Sequence, residues 1–332
     1  MENIRRLHPG IYIKELLDSM EMTSKEFSLR TGISERTLSS IINGNGDITF
    51  DVAYKLSSYF DNSLSYWTNL QNQYNVYILR LIKEKEIEEE YNLIKPIKKY
   101  LIEYKYIEST DSHEEIVLKT RELVGVNSLL LLNKKDTFVS LKELQTKNES
   151  NYFYQNLWIA LALKESRRKN DIPYNKKLLL ESIEKIKKLT IEKPEEFYPK
   201  LQNIFENCGI SFVLLPYLPK SNIYGATKWF SKDNVMLAVS NRGKSADSFW
   251  FTLFHEISHV LMEHRRETLI HMSDKEDNDA NIMAADLLIP RDKWNEFKKT
   301  EFTLENILLF SEKLEIGERT IDGTQLKWSV FR

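Results

Sequence analysis

Along the first 75 residues, apolar positions recur at helical spacing in short segments around a turn at Thr31-Gly32-Ile33, which predicts a compact helical unit over 7–75. In the charged stretch 83–90 (KEKEIEEE) and the segment after it, charges interleave with Ile82, Ile87, Leu93, Ile94, Ile97 and Leu101. That pattern reads as a solvated surface helix broken near Pro96. Polar breaks at 109–112 and 133–135 bound another helical piece, and 146–151 is the best linker. Residues 152–206 read as helices with breaks at 170–173 and near Pro194. The period then changes. Short apolar runs at 210–215 and 235–239, with 224–230 between them, read as strands of a small sheet. Helices return at about 246–263, 276–289 and 302–314. The fold is therefore mainly α with a small α+β part at the C-terminal end.

Composition narrows this picture. The 332 residues are 42% hydrophobic and 11% aromatic, enough for packed cores and against a disordered chain. One cysteine, Cys208, excludes an intramolecular disulfide framework and a multi-cysteine zinc site, and fits a reducing compartment. No apolar run approaches the ~20 residues that span a bilayer, and no targeting segment is visible. The expectation is a cytoplasmic protein with no membrane partner. The net charge of −2 gives no chain-wide attraction to nucleic acid, so any such binding must come from a local surface.

Ser24 to Ser34 carries the pattern of a helix-turn-helix. Phe27 and Leu29 lie on a first helix, Gly32 supplies the turn, Ile33 plugs the core and Ser34 caps a second helix over 35–43 that Gly44 ends. On that second helix Leu38, Ile41 and Ile42 face inward. Arg36, Thr37, Ser39, Ser40 and Asn43 face outward, where short polar side chains and one arginine can approach base edges. With His8-Pro9-Gly10 before it, and Ile48-Thr49 and Trp67 to Tyr74 after it, the segment resembles the HigA-type antitoxin branch of the XRE helix-turn-helix family. The resemblance implies binding to double-stranded operator DNA, a homodimer, repression of a promoter and a cognate toxin as a further partner. Residues 1–75 hold seven Lys/Arg and nine Asp/Glu, so the electrostatic share of DNA affinity is small and backbone amides must contribute.

The sharpest signal is His255-Glu256-Ile257-Ser258-His259. Residues four apart on a helix share a face, so two imidazoles can converge on one metal ion, while Glu256 is rotated by ~100° toward the water such an ion binds. Two histidines and an oxygen ligand suit Zn2+ with one open position. For the third ligand, Glu276 and Asp277 each fall ~50° from the apolar stripe of the following helix and Asp279 ~110°, which disfavours Asp279 and leaves the other two open.

Tyr224-Gly225-Ala226-Thr227, the run Asp247 to Glu256, Ala280-Asn281 and Ala284 to Pro290 together resemble the ImmA/IrrE family of zinc metallopeptidases, over roughly 173–326 with Gly323 to Leu326 as a C-terminal echo. The resemblance implies a zincin-like domain in which His255, His259 and Asp277 hold zinc and Glu256 is the catalytic base. In that family the third ligand is a glutamate, so Asp277 is one methylene short, and Glu276 stays as the alternative. Asn281 falls at the family's position for orienting a ligand histidine. The expected substrate is a repressor or other regulatory protein. A non-cleaving repressor, whose zincin-like domain only binds or senses a partner, is the second reading.

The domains expected are a helix-turn-helix unit at 1–75, a helical connector at 76–150 and a metallopeptidase-like domain at 151–332. Outside these sites, His264 reads as solvated and His271 as a surface residue. His8 and His113 read as structural or exposed, Cys208 as small and buried, and Tyr224 as strand packing.

Overall fold

Three side-chain caps divide the N-terminal chain. Thr23 Oγ1 accepts the Glu26 amide at 3.2 Å, Ser34 Oγ the Thr37 amide at 3.1 Å and Thr49 Oγ1 the Val52 amide at 3.3 Å. Each satisfies an amide that the first turn of a helix leaves without an intrahelical partner. The structure, a computed structural model, describes residues 8–134, 152–167, 172–241, 246–263 and 274–318. The linker expected at 146–151, His264, His271 and the echo at 323–326 lie outside the described residues. The chain divides into two compact units, Met1–Glu89 and Glu90–Arg332.

The first unit holds α1 (Pro9–Ser19), α2 (Ser24–Thr31), α3 (Glu35–Ile42), α4 (Phe50–Phe60) and most of α5 (Leu64–Ile94). Gly32 ends α2 at φ 68°, a left-handed conformation that only glycine adopts cheaply. Phe27, Ile33, Leu38, Ile41 and Trp67 are buried in one core. A Cβ on Gly10 would collide with the carbonyl oxygen of Ile41, so α1 meets the end of α3 backbone to backbone. His8 is structural: it is buried, its Nδ1 accepts the Gly10 amide at 3.0 Å, and its ring meets Tyr74 edge-on at 4.7 Å. Gln71 is buried between the Ile48 amide, Asp47 and Asn75.

In the second unit α5 ends at Ile94, and a 3-10 turn at Lys95–Ile97 carries Pro96 before α6 (Lys98–Glu103). There follow α7 (His113–Val124), α8 (Tyr152–Ser166), α9 (Lys176–Lys188) and α10 (Pro194–Asn207). The end of the charged run departs from its solvated reading. Glu90 is fully buried, whereas Glu84, Glu86, Glu88 and Glu89 are exposed. Arg121 donates to Glu90 twice, at 2.8 and 2.9 Å, and Ser128 Oγ donates at 2.6 Å, which replaces hydration. His113 stacks on Tyr91 at 3.5 Å. The middle of the chain is tied to α8 by Tyr154, which donates to the Leu93 carbonyl, and by Asn156, which donates to the carbonyls of Leu132 and Lys134.

The sheet has the order β1-β3-β2, with β1 (Ile210–Leu215) parallel to β3 (Asn234–Ser240) and β2 (Gly225–Ser231) antiparallel to β3. Alternate residues face opposite ways along a strand. Val235, Leu237 and Val239 join the core of α11 (Ala246–Leu261), while Met236 and Ala238 are buried outside that core. Helix α8, apolar around most of its circumference, packs on β1 and β3. Both faces of the central strand are therefore covered, which is why it reads as a continuous apolar run. Strand β2 lies at the end of the order, against α11. The chain closes with α12 (Asp274–Leu288), the unanticipated short helix α13 (Arg291–Phe297) and α14 (Leu304–Leu314). Cys208 is fully buried before β1, as its neighbours predicted.

Candidate metal centre and nucleic-acid interface

Helix α11 buries Trp250, Leu253, Phe254, Ile257, Val260 and Leu261 against the sheet and its neighbours. Burial of that stripe at ~1.5–3 kcal/mol per large side chain fixes the helix's rotation and so fixes where its polar face points. His255 and His259 come together on that face, with their Nε2 atoms 3.0 Å apart and their rings nearly perpendicular at 4.5 Å. Helix α12 brings Asp277 to them. Its Oδ1 stands 3.3 Å from His255 Nε2 and 4.0 Å from His259 Nε2. One ligand atom from each of the three residues lies within 4.8 Å of the other two.

Glu256 points elsewhere, as a rotation of ~100° per residue requires. It is 6% exposed, and its Oε2 accepts the Thr227 hydroxyl from β2 at 2.7 Å. A Cβ on Gly225 would stand 2.7 Å from its Oε1 and 2.8 Å from its Cγ. Burial pushes the Glu256 carboxyl up to about 7, against the opposing pull of His255 and the Thr227 bond. Burial lowers His255, but hydrogen bonds to Asp277 and Asn281 and the charges of Glu256 and Asp277 outweigh it, so the net shift is upward.

The donors fit a zinc ion. Two ligand atoms on one tetrahedral zinc stand ~3.3 Å apart for bonds of ~2.0–2.1 Å, close to the 3.0 and 3.3 Å seen here, while the 4.0 Å between Asp277 and His259 is longer. His255 Nδ1 is buried with no hydrogen-bond partner among the described residues, so the ring's polar contacts are on its Nε2 side, toward the cluster. The backbone of Glu276 belongs to α12, and its side chain lies outside the described residues. Asn281 stands one turn beyond Asp277 on α12 and is among the groups that raise His255. Tyr224 differs from its packed reading, since 46% of it is exposed. The contacts of Gly225 and Thr227 with Glu256 were missed, although both residues stand in a motif the sequence singles out.

In the first unit Arg36, Ser39 and Asn43 are exposed on or at the end of α3. Thr37 and Ser40 are half-buried, and Thr37 Oγ1 lies 2.7 Å from the capping Ser34 Oγ. Asn43 donates to Ser39 at 3.2 Å. Arg30 is paired with Glu26, and Lys55 with Asp51 and the Gly32 carbonyl.

These features define a helix-turn-helix unit followed by a unit with a zincin-like His-Glu-x-x-His helix packed on a small sheet. Residues 13–67 match the Helix-turn-helix family, and residues 209–321 match the IrrE N-terminal-like domain. The N-terminal part is similar to Virulence-associated protein A' of Dichelobacter nodosus, 37% identical over 70 residues. It is also similar to the uncharacterized HTH-type transcriptional regulator YddM of Escherichia coli, 34% identical over 68 residues, and to antitoxin HigA-1 of Vibrio cholerae, 32% over 83. These matches take in 21%, 20% and 25% of this chain and 61%, 72% and 74% of the relatives, so the first relative is spanned over less than two thirds of its length. The chain belongs to the helix-turn-helix regulators through its first unit and bears an IrrE N-terminal-like domain in its second. No solved structure matches it. Among the described residues no helix is long and apolar enough to cross a membrane.

Proposed function

We propose that this chain is a cytoplasmic DNA-binding regulator whose second unit is a zinc-dependent endopeptidase acting on a specific regulatory protein. The observation that carries the reading is the buried carboxyl of Glu256 beside the cluster of His255, His259 and Asp277. The three would hold Zn2+, which when bound acts as a Lewis acid and makes water a nucleophile near neutral pH. Glu256, buried beside the cluster, would take the proton of the attacking water and return it to the leaving amine. Asn281 steadies the His255 ring. The substrate segment pairs as an added strand with the outer edge of β2, which brings a peptide bond past Glu256. In the first unit Arg36, Ser39 and Asn43, with Thr37 and Ser40 beside them, face an operator in the major groove. Two copies reading two half-sites account for a homodimer. The similarity to HigA-1 supports a cognate toxin as a further partner.

The test compares the wild-type chain with Glu256→Gln. Both are assayed for zinc and incubated with a cytosolic extract of the source cells, and new protein N-termini are mapped. One zinc per chain in both, with new termini only from wild type, supports the reading. Zinc in both with identical termini points to the non-cleaving repressor. A wild-type chain that takes up no zinc ends the peptidase proposal.

A further inference from the structure

The geometry points to Thr227 as the positioning residue of Glu256, working with Gly225 as a socket built into the edge strand. This inference deepens the peptidase reading and rests on it for its catalytic meaning.

Glu256 is at the second position of the His-Glu-x-x-His run, and its own helix does not fix its carboxyl. A glutamate has three rotatable side-chain bonds, and holding one rotamer needs outside contacts. Strand β2 supplies them from two residues of alternate register. Thr227, itself 7% exposed, donates its hydroxyl to Oε2 at 2.7 Å. Gly225, two residues earlier on the same face of the strand, leaves the space that the carboxyl fills. An alanine there would put its Cβ 2.7–3.0 Å from Oε1, Cγ and Cδ of Glu256, closer than real Cβ atoms come to other heavy atoms. One oxygen is therefore tied to the strand by a hydrogen bond. The other, Oε1, rests against the bare Cα of Gly225.

The same strand is the edge on which the substrate is proposed to add. Its outward backbone groups would dock the peptide while the Thr227 hydroxyl and the bare Cα of Gly225, on its inward face, set the base. A substrate registered on β2 is thus registered on the carboxyl of Glu256. Thr227 touches neither substrate nor metal in this arrangement and acts only through Glu256.

The test uses the full chain in wild-type, Thr227→Val, Thr227→Ser and Gly225→Ala forms, labelled with 13C at the glutamate carboxyl carbon. The Glu256 resonance is identified by its loss in Glu256→Gln. It is followed in protein freed of metal by a chelator and again after addition of zinc alone. Cleavage is followed as the rate of appearance of the most abundant new N-terminus in the extract, alongside zinc content and melting temperature. The expected result is that Thr227→Val moves the Glu256 resonance in both metal states and slows cleavage about 10–100-fold at unchanged zinc content, the range for removing a group that orients a ligand or base. Thr227→Ser, which keeps the hydroxyl, restores both, and Gly225→Ala disturbs both. The inference is overturned if Thr227→Val leaves resonance and rate as in wild type, if the rate falls while the resonance stays, or if Thr227→Ser behaves like Thr227→Val. Should Thr227→Val fail to fold, Thr227→Ser and Gly225→Ala decide by the same readouts. If wild type itself cleaves nothing, the peptidase reading fails, and the resonance alone decides whether the socket holds Glu256.

Discussion

Asp277 Oδ1 stands 3.3 Å from His255 Nε2 although its side chain is one methylene shorter than the glutamate that the family resemblance places there. The contact between the helices suits a short ligand. Helix α12 turns Ala280, Ala284 and Ala285 inward, all essentially fully buried, and packs extensively on α11. Small residues at a helix–helix contact let the two backbones approach.

Removing Asp277 should therefore empty the site. Zinc sites with four protein ligands bind with ~10–16 kcal/mol, so one ligand accounts for about 3 kcal/mol, or roughly a hundredfold in affinity. Asp277→Ala should weaken zinc binding by about that factor in a competition titration with a chromogenic chelator. An unchanged affinity would hand the third position to Glu276.

The alanine contact gives an independent check on the same geometry. Ala284→Leu adds bulk where α12 meets the core, and overpacking of this kind costs about 1–3 kcal/mol. The melting temperature should fall, and zinc affinity should fall with it as Asp277 moves off the histidine pair, although residue 284 lies two turns along α12 from Asp277. Lower stability at full zinc affinity would separate the packing from the ligand distance.

Much of this was legible in the chain. The strands stood out because covered central strands are apolar throughout and bounded by turn residues, as at Gly209 and Pro216 around β1. The ligand helix stood out because a buried stripe and a spacing of four coincide in one segment. The choice between Glu276 and Asp277 did not, since both lie equally far from the stripe. The socket at Gly225 and Thr227 is a contact across 29 residues, which no local period encodes. The burial of Glu90 was hidden for the same reason, because its partners Arg121 and Ser128 are 31 and 38 residues away.

DNA binding should depend weakly on salt. The first 75 residues carry −2, and Arg30 and Lys55 are engaged in intramolecular pairs. Each phosphate neutralised contributes about −0.9 to the slope of log K against log salt, so few phosphate contacts give a shallow slope. Fluorescence anisotropy with DNA from upstream of the coding region should show this. Arg36→Ala with Asn43→Ala should cost about 1–3 kcal/mol for each base edge that is no longer read. A steep salt slope that the double variant leaves unaltered would place the DNA surface elsewhere.

Cys208 should be silent toward thiol reagents at neutral pH. Burial raises its thiol pKa, outweighing the contact with Ser182 and the charge of Lys185, and the thiolate is the reactive form. Ellman's reagent should report no thiol in the folded chain and one after unfolding in guanidinium. Rapid reaction of the native protein would mean that the segment before β1 opens readily.

The Glu90–Arg121 pair gives the sharpest stability test in the second unit. Glu90 has no exposed side-chain surface, and both its oxygens are held by Arg121 and Ser128. Taking a carboxylate out of water costs several kcal/mol, and the pair is tolerated because those bonds replace hydration. Arg121→Ala removes the countercharge and leaves the carboxylate with one hydroxyl, so it should destabilise the unit by about 3–5 kcal/mol. Glu90→Leu combined with Arg121→Met removes both charges and fills the same space. That double variant should recover most of the stability, because an apolar replacement of similar volume carries no desolvation penalty. Urea unfolding followed by tryptophan fluorescence, with Trp158 buried in α8, would compare the three chains. If the double variant is as unstable as Arg121→Ala, the ion pair itself, and not relief of an isolated charge, holds this part of the fold.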